Sequence, residues 1–226
     1  MNLRHPNLVE VYEADGVWRR TPYLVMQLLN DMTPLAERWT ELDWPRFLAI
    51  AKAVASALDY LAGFDLVHRD LSPWNVLVGN TGAVKVIDLG LAREAGSGLT
   101  RSSMVDVMGS PGYLPPEQLE RAKAVGPASD QWALAAIVYE ALTGIPPHFG
   151  DDEHEQGEEI SALQRLADGA TLRPPSNLND TLGADLDAVL LQALASEPAQ
   201  RFVTSCEFVA ALALARTAGV ELRASD

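Results

Sequence analysis

Residues 68–75 read His68-Arg69-Asp70-Leu71-Ser72-Pro73-Trp74-Asn75. The segment sits between two well-marked elements. Before it, Trp44, Phe47, Leu48, Ala51, Val54, Leu58 and Leu61 recur at spacings of three and four, which predicts a helix over 44–62. Asp43 is placed to cap that helix, and Pro45 suits its first turn. After it, Val76-Leu77-Val78 and Val84-Lys85-Val86-Ile87 flank Gly79-Asn80-Thr81-Gly82, a β-hairpin pattern. Asp88-Leu89-Gly90 then follows directly. A loop rich in Asp and Asn between a helix and a hairpin has a local explanation, because these side chains cap turns.

The flanks extend the pattern. Residues 7–13 alternate apolar and polar, predicting a half-buried strand, and 23–29 predict a second, more buried one. Asp15-Gly16 is the turn signal between them. Residues 93–112 are rich in Gly, Ser and Thr and read as a loop. Helical patterns then occupy roughly 116–122, 129–143, 158–168, 184–195 and 204–217. No repeat or low-complexity tract divides the chain.

The 226 residues carry 17 Lys and Arg against 31 Asp and Glu, a net charge of −14. That argues against nucleic-acid binding and against a polybasic membrane anchor. Six acids crowd into residues 151–159, which fit a solvated loop or, alternatively, a docking patch for basic partners. Cys206 is the single cysteine, so an intrachain disulfide and a cysteine-based zinc site are excluded. The most apolar run, 132–139, is far shorter than the ~20 residues a bilayer requires and reads as a helix buried all round. A soluble, cytoplasmic protein is expected.

Residues 68–75 fit the catalytic-loop pattern H-R-D-L-x-x-x-N of protein kinases. Asp88-Leu89-Gly90 resembles D-F-G, and Pro115-Pro116-Glu117 resembles A-P-E. Residues 109–114 resemble the substrate-docking segment, with Ser110 in the usual Thr place. Ser129-Asp130-Gln131-Trp132 resembles the start of the large buried kinase helix. Each match alone is weak; their order and spacing are specific. Over residues 1–217 the chain resembles eukaryotic-type Ser/Thr protein kinases, in wording closest to bacterial ones. The resemblance implies an α+β, mostly α fold. A small-lobe remnant with two strands and the hinge would span 1–29, the kinase large lobe 30–217 and a tail 218–226.

The resemblance also implies roles. Asp70 orients the substrate hydroxyl and accepts its proton, and Asn75 and Asp88 hold Mg²⁺ beside ATP phosphates. Met26 looks like the gatekeeper, Gln27 to Leu29 like the adenine hinge and Leu77 like the pocket floor. His68 is a packed structural histidine, Glu117 pairs with Arg201, and Asp130 holds the catalytic-loop backbone. Thr100, Ser102 and Ser103 are phosphorylation candidates, with Arg69 as a cationic partner. A solvated loop explains those hydroxyls equally well. A protein substrate, basic if the acidic patch docks it, would be the partner.

The pattern also departs from the family. The Gly-rich loop, V-A-I-K and the helix glutamate that pairs with that lysine do not occur within residues 1–226. Two expectations follow. The chain is the catalytic-lobe part of a kinase whose start lies upstream of Met1, inactive alone; or it is a pseudokinase-like binding module. Ser72 stands where Ser/Thr kinases commonly carry Lys. The N-terminal strands are expected to expose apolar surface and favour self-association.

Overall fold

The computed structural model describes residues 3–18, 21–88, 93–94, 110–120, 125–150, 158–215 and 222–223. Its architecture is α+β and mostly helical, with six α-helices and three small antiparallel sheets among these residues.

The helix read from the sequence forms with the same bounds: α1 spans Trp44–Ala62, and the Asp43 carboxylate accepts the Arg46 N–H at 2.9 Å. An N-cap of this kind stabilises a helix by about 1 kcal/mol. Its apolar stripe meets α3 (Pro127–Thr143), the central helix of the body. Every α3 residue from Ser129 to Thr143 is buried. Ala133, Ala135, Ala136 and Ala141 supply the small side chains that let neighbouring elements approach on all sides. Gly144 ends α3 at φ 85°, a conformation glycine adopts without steric cost. Helices α5 (Ala184–Ala193) and α6 (Ser205–Leu214) pack on α3, and α6 also packs on α1. The Asp59 carboxylate of α1 accepts the first two α6 amides, Ser205 N–H at 2.8 Å and Cys206 N–H at 2.9 Å. Short helices α2 (Pro116–Glu120) and α4 (Glu158–Ala167) complete the set.

The hairpin is also as read. Strands β5 (Val76–Gly79) and β6 (Val84–Val86) pair, with Leu77 opposite Lys85, and β3 (Met32–Pro34) adds to the other edge of β5.

Four expectations need correction. The strand read at 7–13 is displaced: β1 spans Val11–Trp18, and Leu8 makes only an isolated bridge to Val86. Asp15-Gly16 lies within β1, where Gly16 pairs with Tyr23; bulges on either side of Glu13 absorb the irregularity. The partner strand β2, Thr21–Met26, is exposed rather than buried, with Tyr23, Leu24, Val25 and Met26 each about 40% accessible. Among the described residues no layer is stacked on this two-stranded ribbon, which therefore cannot bury both faces, whatever its composition. Finally, part of the loop read at 93–112 is ordered: β7 (Arg93–Glu94) pairs with β4 (Leu66–Val67). Most of the acidic segment 151–159 lies outside the described residues.

Candidate active site

Segment 68–75 is held from below by α3. Asp130 is buried, and its carboxylate accepts the His68 N–H at 2.7 Å and the Arg69 N–H at 2.9 Å. Burial pushes the Asp130 pKa up; the nearby His68 and Arg69 side chains and the two amides pull the other way. The two bonds hold Arg69 at φ 70°, an uncommon conformation for a large side chain. His68 is fully buried. Its Nδ1 accepts the Asp70 N–H at 3.3 Å and its Nε2 meets the Ile87 carbonyl at 2.9 Å, which fits a ring protonated on Nε2. Its ring is thus buried and engaged at both nitrogens.

From there the loop closes on itself. The Asn75 amide nitrogen donates to the Asp70 carbonyl at 2.8 Å and to Asp70 Oδ2 at 3.3 Å. The Ser110 N–H donates to Asp70 Oδ1 at 3.2 Å, tying in the segment ahead of α2. The Ile87 N–H donates to the Asn75 carbonyl at 2.9 Å, so both backbone groups of Ile87 are engaged just before Asp88. Asp88 is exposed and sits at φ 62°, which Asp tolerates better than most residues. Asp70, Asn75 and Asp88 are thus brought to one edge. Burial raises the pKa of half-buried Asp70; the Asp88 charge adds to the rise, while the His68 ring, the Ser110 amide and Asn75 oppose it.

The donor set suits a hard cation. Asn75 commits its nitrogen to Asp70, and its Oδ1 has no hydrogen-bond partner among the described residues. Asp88 offers carboxylate oxygens to solvent. No cluster of three His, Cys, Asp or Glu exists among the described residues. An ion here would draw remaining ligands from water and phosphate, as Mg²⁺ ordinarily does.

Ser72 is buried, and its hydroxyl has no hydrogen-bond partner among the described residues. It therefore does not present a polar group to solvent where the family commonly has lysine. Met26 closes β2 opposite Val11 and is 42% exposed; Leu28 is 80% exposed. The Gln27 N–H is engaged by the Glu10 carbonyl at 2.7 Å, and Leu77 is half-buried in β5. A cavity of about 350 Å³ lies elsewhere, lined by Leu3, Arg4, His5, Pro6, Leu8, Glu10 and Lys85. It contains none of the residues read as nucleotide-binding. Thr100, Ser102, Ser103, Leu89 and Gly90 lie outside the described residues.

Below the edge, Glu117 and Arg201 form a buried bidentate pair with both N···O distances at 2.8 Å. Ser129 Oγ donates to the same carboxylate at 2.7 Å. Arg201 also donates to the carbonyls of Ala195, Ala128 and Ser196. Two links escaped the sequence reading. Gln118 Nε2 donates to the Arg69 carbonyl at 3.0 Å, joining α2 to the loop. Tyr113 donates to Glu140 Oε2 at 2.7 Å, anchoring the 110–114 turn on α3. Burial raises Glu140 to about 7, against the pull of the Tyr113 bond. A glutamate directly after the apolar run 132–139 of α3 was the available signal. Gly112 lets that turn approach closely: a Cβ there would lie 2.8 Å from Pro146 Cβ.

A helical body whose buried central aspartate grips a loop bearing Asp70 and Asn75, beside a hairpin ending in Asp88, is the large-lobe arrangement of protein kinases. The chain belongs to that family: residues 1–211 match the protein kinase domain. It is 36% identical over 216 residues to the serine/threonine-protein kinase PknB of Mycobacterium tuberculosis (strain ATCC 25618 / H37Rv), covering 93% of this chain and 33% of that protein. Identity to PknB of Mycobacterium leprae (strain TN) is 34% over 215 residues, covering 93% and 33%. A probable serine/threonine-protein kinase PknB of Bifidobacterium longum (strain NCC 2705) is 30% identical over 237 residues, covering 99% and 33%. The chain thus spans about one third of the length of the curated relatives it matches. Among the described residues, no helix is long and apolar enough to cross a membrane.

Proposed function

We propose that this chain is the catalytic-lobe part of a protein serine/threonine kinase, transferring the γ-phosphoryl group of ATP to a hydroxyl of a protein substrate. The observation that carries the reading is the bonded edge Asp70–Asn75–Ile87–Asp88. Phosphoryl transfer asks a protein mainly for positioning and charge neutralisation. Asp70 orients the incoming Ser or Thr hydroxyl and receives its proton. The hydroxyl oxygen forms the new bond to phosphorus as the bond to the bridging oxygen of ADP breaks. Asn75 Oδ1 and the Asp88 carboxylate would hold Mg²⁺, which would supply neutralisation of phosphate charge. Met26, Gln27, Leu29 and Leu77 are assigned to the adenine side. The raised pKa of Asp70 supports a proton-accepting role, because a more basic carboxylate accepts more readily.

The finer assignments belong to the same reading. The small-lobe remnant is 1–29, the large lobe 30–217 and the tail 218–226. The substrate is basic, the chain works in the cytoplasm, and the exposed β1–β2 ribbon favours self-association. Thr100, Ser102 and Ser103 are the candidate regulatory hydroxyls.

The test is transfer from labelled ATP by the full-length gene product to a basic protein substrate. Magnesium-dependent incorporation into phosphoserine or phosphothreonine, abolished by EDTA, is expected. A folded gene product that incorporates nothing refutes the reading. The 226 residues alone are expected to stay at background, since the Gly-rich loop and the V-A-I-K strand do not occur within them.

A further inference from the structure

The peptide group between Arg69 and Asp70 is gripped at both ends. Its carbonyl, on Arg69, accepts the Gln118 Nε2–H at 3.0 Å. Its N–H, on Asp70, donates to His68 Nδ1 at 3.3 Å. On either side, the Arg69 N–H donates to Asp130 and the Asp70 carbonyl accepts from Asn75. All four backbone polar groups of the two residues are thus engaged. His68 and Asn75 belong to the loop itself, and Asp130 belongs to α3. Gln118 comes from α2, the element that follows the 110–114 turn.

The grip falls where the backbone is least at ease. Arg69 sits at φ 70°, a conformation that a large side chain keeps only where its surroundings over-determine it. The peptide plane that follows leads directly into the Asp70 Cα, so its orientation aims the Asp70 side chain. Rotation of that plane would carry the carboxylate away from the Ser110 N–H at 3.2 Å and the Asn75 amide at 3.3 Å. Gln118 stands on a firm base from which to prevent this. It is half-buried, its own N–H donates to the Pro115 carbonyl at 3.0 Å, and its neighbour Glu117 is locked to Arg201. Ahead of α2, Tyr113 is tied to Glu140. A side chain so supported can fix the geometry of another group. Packing alone would accept a methionine of similar shape; only an N–H donor meets the carbonyl.

We propose that Gln118 is a positioning residue for phosphoryl transfer, acting through the Arg69–Asp70 peptide to hold the Asp70 carboxylate in line with a hydroxyl presented from the 110–114 turn. The proposal rests on the kinase reading for the role of Asp70, and one of its two readouts does not require transfer. The full-length gene product is compared with Gln118→Met, which keeps the length and loses the donor. A second variant, Gln118→Glu, keeps the shape and, ionised at pH 8, also lacks the donor. Circular dichroism and thermal unfolding establish which variants are folded. Should Gln118→Met not fold, Gln118→Glu carries the same comparison.

The first readout is single-turnover transfer to a serine peptide. The rate at saturating Mg·ATP and peptide should fall by about 10- to 100-fold, the scale of a small misplacement of a reacting group, while half-saturating concentrations stay within about 2-fold. The second is carboxyl ¹³C titration of Asp70. The Ser110 and Asn75 donors hold its pKa down, so losing their alignment should move the midpoint upward. Transfer by the folded variants at the wild-type rate would overturn the proposal. So would a loss confined to half-saturation, which is weaker binding, or an Asp70 midpoint that does not move. A wild type that transfers no phosphate would sink the kinase reading separately. The Asp70 midpoint would then still decide whether Gln118 sets the place of that carboxylate.

Discussion

Replacing Arg201 with methionine would leave the Glu117 carboxylate buried with one donor, Ser129 Oγ. Two charge-assisted hydrogen bonds of 2.8 Å would go, and three carbonyls would lose a donor. The pair is dry, with the Arg201 side chain 0% and Glu117 6% exposed. Breaking such a pair from one side costs about 3–5 kcal/mol, mostly from the uncompensated charge left behind. In a domain of this size each kcal/mol moves Tm by about 2–4 °C, so the loss should be roughly 6–20 °C. Thermal unfolding followed at 222 nm reads it directly. The cycle with Glu117→Gln separates lost pairing from lost packing: the double variant should be more stable than the two single losses summed. A Tm change below about 2 °C for Arg201→Met, or strict additivity in the cycle, would refute the reasoning.

Glu140 makes a second prediction, on pH. Its pKa in the fold is about 7, above the ordinary glutamate value of 4.5. The native state therefore holds a proton that the unfolded chain has released between these values. Stability from this group is fully present below pH 4.5 and lost as pH rises through 7, by up to roughly 3 kcal/mol. Glu140→Gln should flatten the profile of urea unfolding between pH 5 and 8; an unchanged slope would count against it. At the edge itself, carboxyl ¹³C NMR should find Asp70 titrating above the ordinary aspartate range, and Asp88→Asn should lower it. An unmoved Asp70 would mean that the two carboxylates do not sense each other.

What was legible in the sequence was local. Helix α1 repeats at spacings of three and four and carries its cap one residue ahead, so its bounds were fixed by neighbours. The β5–β6 hairpin is similarly self-contained. The short strands β3, β4 and β7 have two or three residues each, too few for any period to register. The exposure of β2 was misread because an apolar run reports what a strand could bury, not whether a second layer covers it. Long-range bonds leave no local trace at all. Asp130 reaches 61 and 62 residues back to the loop, and Arg201 reaches 84 residues to Glu117. Those partners were named only because the ordered motifs resembled a known family. Tyr113–Glu140 and Gln118–Arg69 lie outside those motifs' recognised pairings and emerged from the coordinates.

The account turns on Asp70 acting on the substrate hydroxyl rather than merely closing a loop. Single-turnover transfer by the full-length gene product, wild type against Asp70→Asn, at saturating Mg·ATP and peptide, tests this most directly. The rate should fall by at least about 100-fold, the smaller end of what a positioned base contributes, while Mg·ATP affinity stays within about 2-fold. Transfer by Asp70→Asn at the wild-type rate would contradict the assignment.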